Sequence, residues 1–217
     1  NTPYDPQRDL VAISQVAVAP YVLLVHPSVP AKSVKQLVTL AKSRSGKMNF
    51  GSGGIGVGIH MAGELFKVAA GVNIVHVPYK GAAPAMTALM AGEVDMMFNG
   101  MSPAIPHIKS GRVRALAVGG AKRSSLLPEL PTVKEAGFEF NTEGWYGILA
   151  PRGTPPAIII RLHEATVRAL AGPELKGILA KMAVETVGSS PADFARQIRD
   201  ESAVWAKVIK AAGIKAQ

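Results

Sequence analysis

The sequence predicts an α/β fold in which a mostly parallel sheet carries helices on its faces. The first observation is that residues 48–120 alternate between strand-like and helix-like segments. The second is a glycine-rich loop, GSGGIGVG at 51–58, between a short apolar strand and a helix. The third is a change of character after residue 120, where prolines and then helical patterns dominate. A continuous βα unit between two different flanks is typical of one domain inserted into another.

The first half of the chain supplies most of the predicted sheet. Residues 10–30 contain two strand-like runs separated at Pro20, and residues 33–46 have the apolar spacing of an amphipathic helix. Ser33 is the expected N-cap of that helix, and Gly46 is its expected end. In the alternating region, strands are predicted at 48–50, 73–79, 94–99 and 113–120, and helices at 59–71, 83–93 and 102–111.

The second half of the chain is mostly helical. Residues 121–144 are punctuated by proline and predict one short helix, and residues 145–151 predict a strand. The remaining predicted elements are helices at 155–172, 173–183 and 190–213 and a strand at 184–189.

Composition excludes several classes of function. With 48% hydrophobic and 18% charged residues, the chain has enough apolar material for a globular core. Cysteine is absent, which excludes disulfides, thiolate metal sites and cysteine nucleophiles. The five histidines do not have metal-ligand spacing, so we predict no metal site. The net charge of +9 is scattered and not interleaved with aromatic residues, so we predict no nucleic-acid partner.

The glycine loop contains the pattern G-x-G-x-x-G at Gly51, Gly53 and Gly56, after a strand and before a helix. A dinucleotide site also needs an acidic residue about 20 positions later to bind the ribose. The sequence has no Asp or Glu between Glu64 and Glu93, and no Gly-Lys-Ser/Thr follows the loop. We therefore predict neither a nucleotide nor another cofactor.

Three interpretations of this loop stay open on the residues alone. Its free backbone N–H groups and the dipole of the following helix can form an anion site, to which Ser52 adds a hydroxyl. The glycines can instead serve only a tightly packed turn. Nucleophilic catalysis by Ser52 has weak support, because FGSGG is not the G-x-S-x-G motif. His60 and Glu64, four residues apart on a helix, are interpreted as a surface pair and not a catalytic dyad.

Several other residues stand where an open α/β sheet binds its ligands. Tyr79, Asn99, Ser102 and Trp145 lie at predicted strand ends or helix starts, and for each of them a structural and a binding role are both open. Asp95, at the start of a predicted strand, is interpreted as a structural hydrogen-bonding residue.

Five stretches of sequence together carry a family resemblance. The chain resembles the Bug (TctC-like) family, the periplasmic substrate-binding proteins of tripartite tricarboxylate transporters, over essentially its whole length. The stretches are NFGSGGIGVGIHMAGELFK, VHVPYKGAAPAMTALMAGEVDMMF, IKSGRVRALAV, LLPELPTVKEAGF and WYGILAPRGTPP, in this order.

The resemblance implies a two-lobed, type II periplasmic-binding-protein fold, also called a Venus flytrap. Lobe two is then residues 21–143, and lobe one combines 1–20 with 144–217. Members of the family begin with a further segment, so we expect the N-terminal part of lobe one to be absent from this chain.

The resemblance also implies a solute-binding protein and not an enzyme. Its ligand is expected to be a small organic acid: a di- or tricarboxylate, an acidic or amidated amino acid, a nicotinate-like acid or an aromatic acid. The protein would deliver this acid to the membrane components of the transporter. A periplasmic location is expected, with the signal peptide outside this chain. The alternatives are an α/β enzyme that uses the Ser52 glycine loop, or a ligand-sensing domain of similar fold.

The same resemblance indicates which residues contact the acid. Family members hold it largely through backbone amides of two facing loops, and the glycine loop matches the second of these. Trp145, near a crossing strand, is expected to face the cleft or the hinge. The predicted loop contacts are Ser52, Gly53, Gly54 and Val57, and the predicted wall residues are His60, Tyr79, Asn99 and Ser102.

Overall fold

The structure, a computed structural model, describes residues 3–214. The chain divides into two compact units, one of which is Pro20–Gly144. The other contains the chain up to Ala19 and from Trp145 onward. The predicted lobes of the binding protein are residues 21–143, and residues 1–20 together with 144–217. That these lobes close on a ligand stays a prediction.

The unit Pro20–Gly144 is built on a five-stranded sheet with the order β3-β2-β4-β1-β5. Strand β2 is parallel to both β3 and β4, whereas β1 is antiparallel to its neighbours β4 and β5. The four strands of the βα region therefore run in one direction, which confirms the predicted mostly parallel sheet. The strands are β1 (Leu10–Val25), β2 (Asn49–Ser52), β3 (Val75–Pro78), β4 (Met96–Gly100) and β5 (Arg114–Val118).

Strand β1 differs from the prediction, because the chain does not break at Pro20. The pairings of β1 with β4 begin at Tyr21, and those with β7 (Glu185–Thr186) end at Val18. Pro20 therefore lies between two hydrogen-bond ladders, where its missing N–H costs neither of them a bond.

Helices follow the strands of this unit, with boundaries close to those predicted. The Ser33 side chain caps α2 by accepting a hydrogen bond from the Gln36 N–H at 3.2 Å, as predicted. Helix α3 ends at Gly71, which adopts the left-handed conformation with φ of +60°. The helices of this unit are α2 (Val34–Ser43), α3 (Gly58–Ala70), α4 (Ala82–Ala91) and α5 (Met101–Lys109). A short helix that was not predicted, α1 (Pro6–Asp9), belongs to the other unit.

The predicted short helix within 121–144 is wrong. Thr132 and Glu135 form a reciprocal capping box, in which each side chain accepts a hydrogen bond from the other residue's backbone N–H at 2.9 and 2.8 Å. The segment nevertheless forms turns and not a helix, because Gly137 adopts a φ of +99° two residues later.

Aromatic rings and one carboxylate stabilise the sheet. Phe66 packs edge-on against Phe98 with 5.9 Å between ring centroids, and Phe98 stacks on Phe140 at 5.2 Å. Asn49 and Asp95 exchange two hydrogen bonds of 2.8 Å, each side chain accepting from the other residue's backbone N–H. This pair joins β2 to the beginning of β4 and confirms the structural interpretation of Asp95.

The second unit has a small sheet and, among its described residues, four helices, the first of which is α1. Both β6 and β7 pair with β1. The fully buried Phe194 packs against Gly147, where an added Cβ would lie 2.1 Å from the phenylalanine ring. In the described part of the chain, no helix is both long and apolar enough to cross a membrane. The remaining elements are β6 (Glu143–Pro151), α6 (Pro156–Ala171), α7 (Pro173–Lys181) and α8 (Pro191–Ala212).

Helix α3 lies so close to β2 that only glycine fits at position 63. A Cβ added to Gly63 would lie 2.2 Å from the ring of Phe50, which is fully buried. Gly177, inside α7, has no atom within 4 Å of an added Cβ. Replacement of these two helical glycines by alanine should therefore have opposite effects on stability.

We expect Gly63→Ala to lower the free energy of unfolding by about 1–3 kcal/mol through overpacking, although alanine favours helices. Gly177→Ala, the matched control, should raise it by up to about 1 kcal/mol. Urea unfolding followed by circular dichroism measures both variants. An equal stabilisation of the chain by the two substitutions would contradict the close packing of α3 on β2.

Candidate functional site

Three helices begin at one edge of the sheet in the unit Pro20–Gly144. Strands β3, β2 and β4 are neighbours and parallel, so their carboxyl ends meet at the same edge. Helix α3 begins at that edge after the glycine loop, α4 begins after β3, and α5 follows β4 directly. The carboxyl edge of such a sheet is where α/β proteins bind their ligands.

The N-termini of these three helices lack the side chains that usually cap a helix. Within the described residues, α3, α4 and α5 have no side-chain cap hydrogen bond and no acidic residue in the first turn. Their N-cap residues are Val57, Gly81 and Gly100. By contrast, Ser33 and Ser190 cap α2 and α8. The N-cap side chains therefore supply no hydrogen-bond acceptor at the positive ends of these three helix dipoles, which favours an anion there.

Two different structural constraints, close packing and backbone conformation, explain the glycines of the loop. A Cβ on Gly53 would lie 2.9 Å from the Ala82 backbone nitrogen, and one on Gly58 would lie 2.2 Å from the Tyr21 hydroxyl oxygen. Gly54 and Gly56 have φ angles of +135° and +81°, which other residues rarely adopt. The loop is thus a tightly packed turn, as one interpretation proposed, and its backbone also lies at the edge where the helices begin.

Ser52 is fully buried at the end of β2, and its hydroxyl has three partners inside the protein. Its Oγ lies 2.6 Å from His76 Nε2 and 3.0 Å from the Gly54 carbonyl oxygen, and it accepts a 3.2 Å hydrogen bond from the Gly54 N–H. The structure therefore gives this hydroxyl a role inside the loop, and its predicted contact with a ligand stays a prediction.

His60 contacts the same loop from the first turn of α3. Its Nδ1 accepts a 3.0 Å hydrogen bond from the Gly56 N–H, and its Nε2 lies 3.8 Å from Glu64 Oε1. His60 and Glu64 are 2% and 4% exposed, so their interpretation as a surface pair is wrong. They lie on the side of α3 that packs into the unit, and Lys67 neutralises the Glu64 carboxylate at 2.8 Å.

A stack of three rings lies beneath the loop. The His60 and His76 rings are 3.9 Å apart at their centroids, and Phe50 stacks on His76 at 4.8 Å. Burial lowers the pKa of His60, although the Glu64 carboxylate opposes this shift. Burial, together with the neighbouring His60 and Lys67, lowers the pKa of His76 to about 4. Both rings are therefore neutral at pH 7.

Three further predicted residues lie at this edge. The Tyr79 backbone N–H donates to the Ser52 carbonyl at 2.8 Å. Burial of the Tyr79 phenol raises its pKa, and the Glu93 carboxylate adds to the shift. Asn99 is buried, and its Oδ1 accepts a 2.9 Å hydrogen bond from the Gly100 N–H. Ser102 is half-buried in the first turn of α5.

Trp145 belongs to the other unit. Its indole N–H donates to Glu201 Oε2 at 2.8 Å, and its ring packs edge-on against Phe194 at 5.3 Å. The expectation that Trp145 faces the ligand stays a prediction. Among the described residues, no group of three or more His, Asp or Glu side chains is arranged to hold a metal ion.

Sequence reasoning missed His76. The register of the parallel pair β2–β3 places His76 opposite Phe50, beside the strand that ends at Ser52. The only signal in the sequence was a histidine within a predicted strand that follows the glycine loop, and nothing local linked the two.

A model of the tripartite tricarboxylate transporter family receptor, TctC, matches residues 1–214. The chain belongs to this family. BugT of Bordetella pertussis is a relative with 34% identity over 214 residues, which cover 98% of this chain and 66% of BugT. The UPF0065 protein in the tcbD-tcbE intergenic region of Pseudomonas sp. strain P51 is 37% identical over 211 residues, 95% of this chain and 62% of that protein. This TctC-family chain thus spans less than two thirds of these relatives' length.

Solved structures of TctC relatives share the fold. Rpa4515 of R. palustris, determined with adipate, is 36% identical with a TM-score of 0.85, covering 99% of this chain and 72% of that one. MatC of Rhodopseudomonas palustris, with bound malate, is 27% identical with a TM-score of 0.81, covering 95% and 72%. Matches to these and other periplasmic binding proteins confirm the predicted Bug-family resemblance and fold class. The matched proteins are binding proteins and not enzymes, as predicted.

We expect acid to destabilise the protein through His76. An unfolded histidine has a pKa near 6.5, whereas that of His76 is lowered to about 4, so the unfolded chain binds more protons between these values. Stability is therefore lost as the pH falls from about 6.5 to about 4. The thermal unfolding midpoint, measured across this range, should fall less steeply in His76→Gln.

The control for this pH series is His107→Gln, which removes a histidine of α5 outside the ring stack. A pH dependence that is weaker in His76→Gln than in His107→Gln would assign the effect to the ring stack. A midpoint that is equally pH-dependent in His76→Gln and in the parent chain would show that His76 is not held neutral by the fold.

Proposed function

We propose that the protein is a periplasmic solute-binding protein that captures a small organic carboxylate at the carboxyl edge of β2, β3 and β4. It then delivers this acid to the membrane components of a tripartite tricarboxylate-type transporter. The proposed contacts from this unit are backbone N–H groups of the glycine loop and of the first turn of α3, with Ser102 at the start of α5. The N–H groups of Gly54 and Gly56 are not among these donors, because they donate to Ser52 and His60. Tyr79, Asn99 and Trp145 stay predicted contacts.

One observation carries this proposal: among the described residues, three helices begin at one sheet edge with no hydrogen bond from their N-cap side chains and no acidic residue in the first turn. Each helix N-terminus bears about half a positive charge on N–H groups that lack intrahelical partners. The connecting loops add Lys80 and contain no acidic residue. A carboxylate can therefore accept several backbone hydrogen bonds there, whereas a neutral ligand would gain little.

Two further observations support the class of ligand and the partner. The relatives whose structures contain adipate and malate hold dicarboxylic acids, so we propose a dicarboxylate as the first ligand to test. The family description names a tripartite tricarboxylate transporter, which supports membrane transport proteins as the partners. The enzyme alternative loses support, because Ser52 is fully buried and its hydroxyl is engaged within the protein.

Val57→Asp tests the proposed site with a substitution that should not harm the fold. Val57 is the exposed N-cap of α3, and aspartate is a preferred N-cap, so the helix should gain about 1 kcal/mol of stability. The new carboxylate would occupy the free N–H groups and repel the ligand. We expect the dissociation constant for adipate or malate to rise about 10- to 100-fold, the equivalent of one lost charge-assisted hydrogen bond.

The measurement is isothermal titration of the complete natural protein with mono-, di- and tricarboxylates, alongside thermal unfolding. Val57→Asn supplies a neutral cap and should weaken binding less than Val57→Asp does. Val68→Asp places the same charge on an exposed position of α3 about 16 Å farther along the helix, and should leave binding nearly unchanged. Undiminished binding by Val57→Asp would remove α3 from the site. Failure of the parent protein to bind any of the acids would contradict the proposed function.

A further inference from the structure

We propose that His60 and His76 are positioning residues, which hold the glycine loop in its binding shape from the inner side without contacting the ligand. The inference rests on the proposed function, in which this loop binds a carboxylate. His60 was predicted from the sequence to line the site and contact the ligand, and this inference gives it a different role. His76 was not among the predicted site residues, and the inference adds it.

The first step concerns the exposed half of the loop. Gly56 is exposed and has no atom within 4 Å of an added Cβ, so side-chain packing does not hold it. Its N–H donates to His60 Nδ1 at 3.0 Å, and His60 is only 2% exposed. Because Nδ1 accepts this bond, the ring proton of neutral His60 is on Nε2, which lies 3.8 Å from the Glu64 carboxylate.

The second step concerns Ser52, whose hydroxyl has three partners but can donate its single hydrogen to only one of them. The Gly54 carbonyl oxygen only accepts, so the 3.0 Å contact uses the hydroxyl hydrogen. The Gly54 N–H donates to the same Oγ at 3.2 Å. The remaining contact, 2.6 Å to His76 Nε2, is satisfied when His76 donates from Nε2. One protonation state of His76 thus satisfies every contact of the hydroxyl.

The third step is that the two histidines act on the loop together. Gly54 is held through Ser52 and His76, and Gly56 is held by His60. The two rings lie 3.9 Å apart, so the supports of both loop positions form a single packed unit. Glycine has more conformational freedom to lose than any other residue, so fixing Gly54 and Gly56 in advance lowers the entropy cost of binding.

Two substitutions at His60 separate hydrogen bonding from packing. His60→Asn keeps an acceptor near the position of Nδ1 but lacks the ring, and His60→Phe keeps a ring but lacks the acceptor. We expect His60→Phe to raise the dissociation constant for adipate about tenfold or more, and His60→Asn to bind within about threefold of the parent protein. A purely structural role, in which only the ring stack matters, predicts the reverse order.

The corresponding pair at position 76 is His76→Gln and His76→Phe. Glutamine can still donate to Ser52 Oγ, so it should bind adipate nearly as the parent protein does, whereas phenylalanine should weaken binding as His60→Phe does. Equal effects of the two substitutions at either position would overturn the inference.

The ligand-free protein supplies a readout that does not depend on binding. In ¹⁵N-labelled protein at pH 7, both neutral imidazoles should carry their proton on Nε2. The Gly56 amide resonance should move in His60→Phe and return toward its original position in His60→Asn. If these signatures appear and no acid binds, the proposed function fails while the positioning role stands. If His60 carries its proton on Nδ1, or Gly56 does not respond, the inference fails even when acids bind.

Discussion

The close contact of helix α3 with strand β2 is the constraint on which the candidate site depends. At Gly63 the helix backbone lies against the Phe50 ring, at a distance that leaves no room for a side chain. Phe50 in turn stacks on His76, and His76 on His60. The proposed support of the glycine loop thus extends from the core outward through three rings in contact. This arrangement explains how a loop rich in glycine can have a defined backbone.

The candidate site is electrostatically positive because the first turns of its three helices contain no acidic residue and their N-cap side chains make no cap hydrogen bond. Three helices begin at the sheet edge without an acidic first turn, while α2 and α8 receive serine caps elsewhere in the protein. The stabilisation that a cap normally gives is therefore missing at these three ends, and an external anion can supply it. The Glu64 carboxylate, the nearby negative charge on α3, is neutralised by Lys67. Under the proposed function, a bound anion would supply the missing caps of these helices, so binding would also stabilise the helix ends.

Local sequence patterns predicted most of the fold, because apolar periodicity and caps act over a few residues. The Ser33 cap, the Gly71 end of α3 and the structural role of Asp95 were all predicted correctly. The continuity of β1 through Pro20 was not predictable, because it depends on which strands pair on either side. The short helix expected within 121–144 does not form. Thr132 and Glu135 make the hydrogen bonds of a helix start, but Gly137 follows with a positive φ that a helix cannot contain.

The site was less predictable than the fold. The sequence located the edge, but it did not distinguish a hydroxyl that meets a ligand from one that meets the protein. Ser52 and His60 have partners inside the unit, and His76 reaches Ser52 only through the register of β2 and β3. Such contacts depend on tertiary geometry, for which a single sequence has no local signal.

Recognition by peptide groups has a consequence for how this family can diversify. The hydrogen-bond donors of the proposed anchor belong to the backbone, so they are unchanged when neighbouring side chains are replaced. Ile55 and Val57 are 39% and 40% exposed on the same loop, and neither lies in the ring stack beneath it. Apolar substitutions at such positions can reshape the rim for acids of different length while the anchor stays intact, whereas a carboxylate at position 57 would compete with the ligand for the N–H groups. Under the proposed function, this architecture separates affinity for the carboxylate from selection of the rest of the ligand, so ligand preference could change during evolution while the backbone anchor is kept.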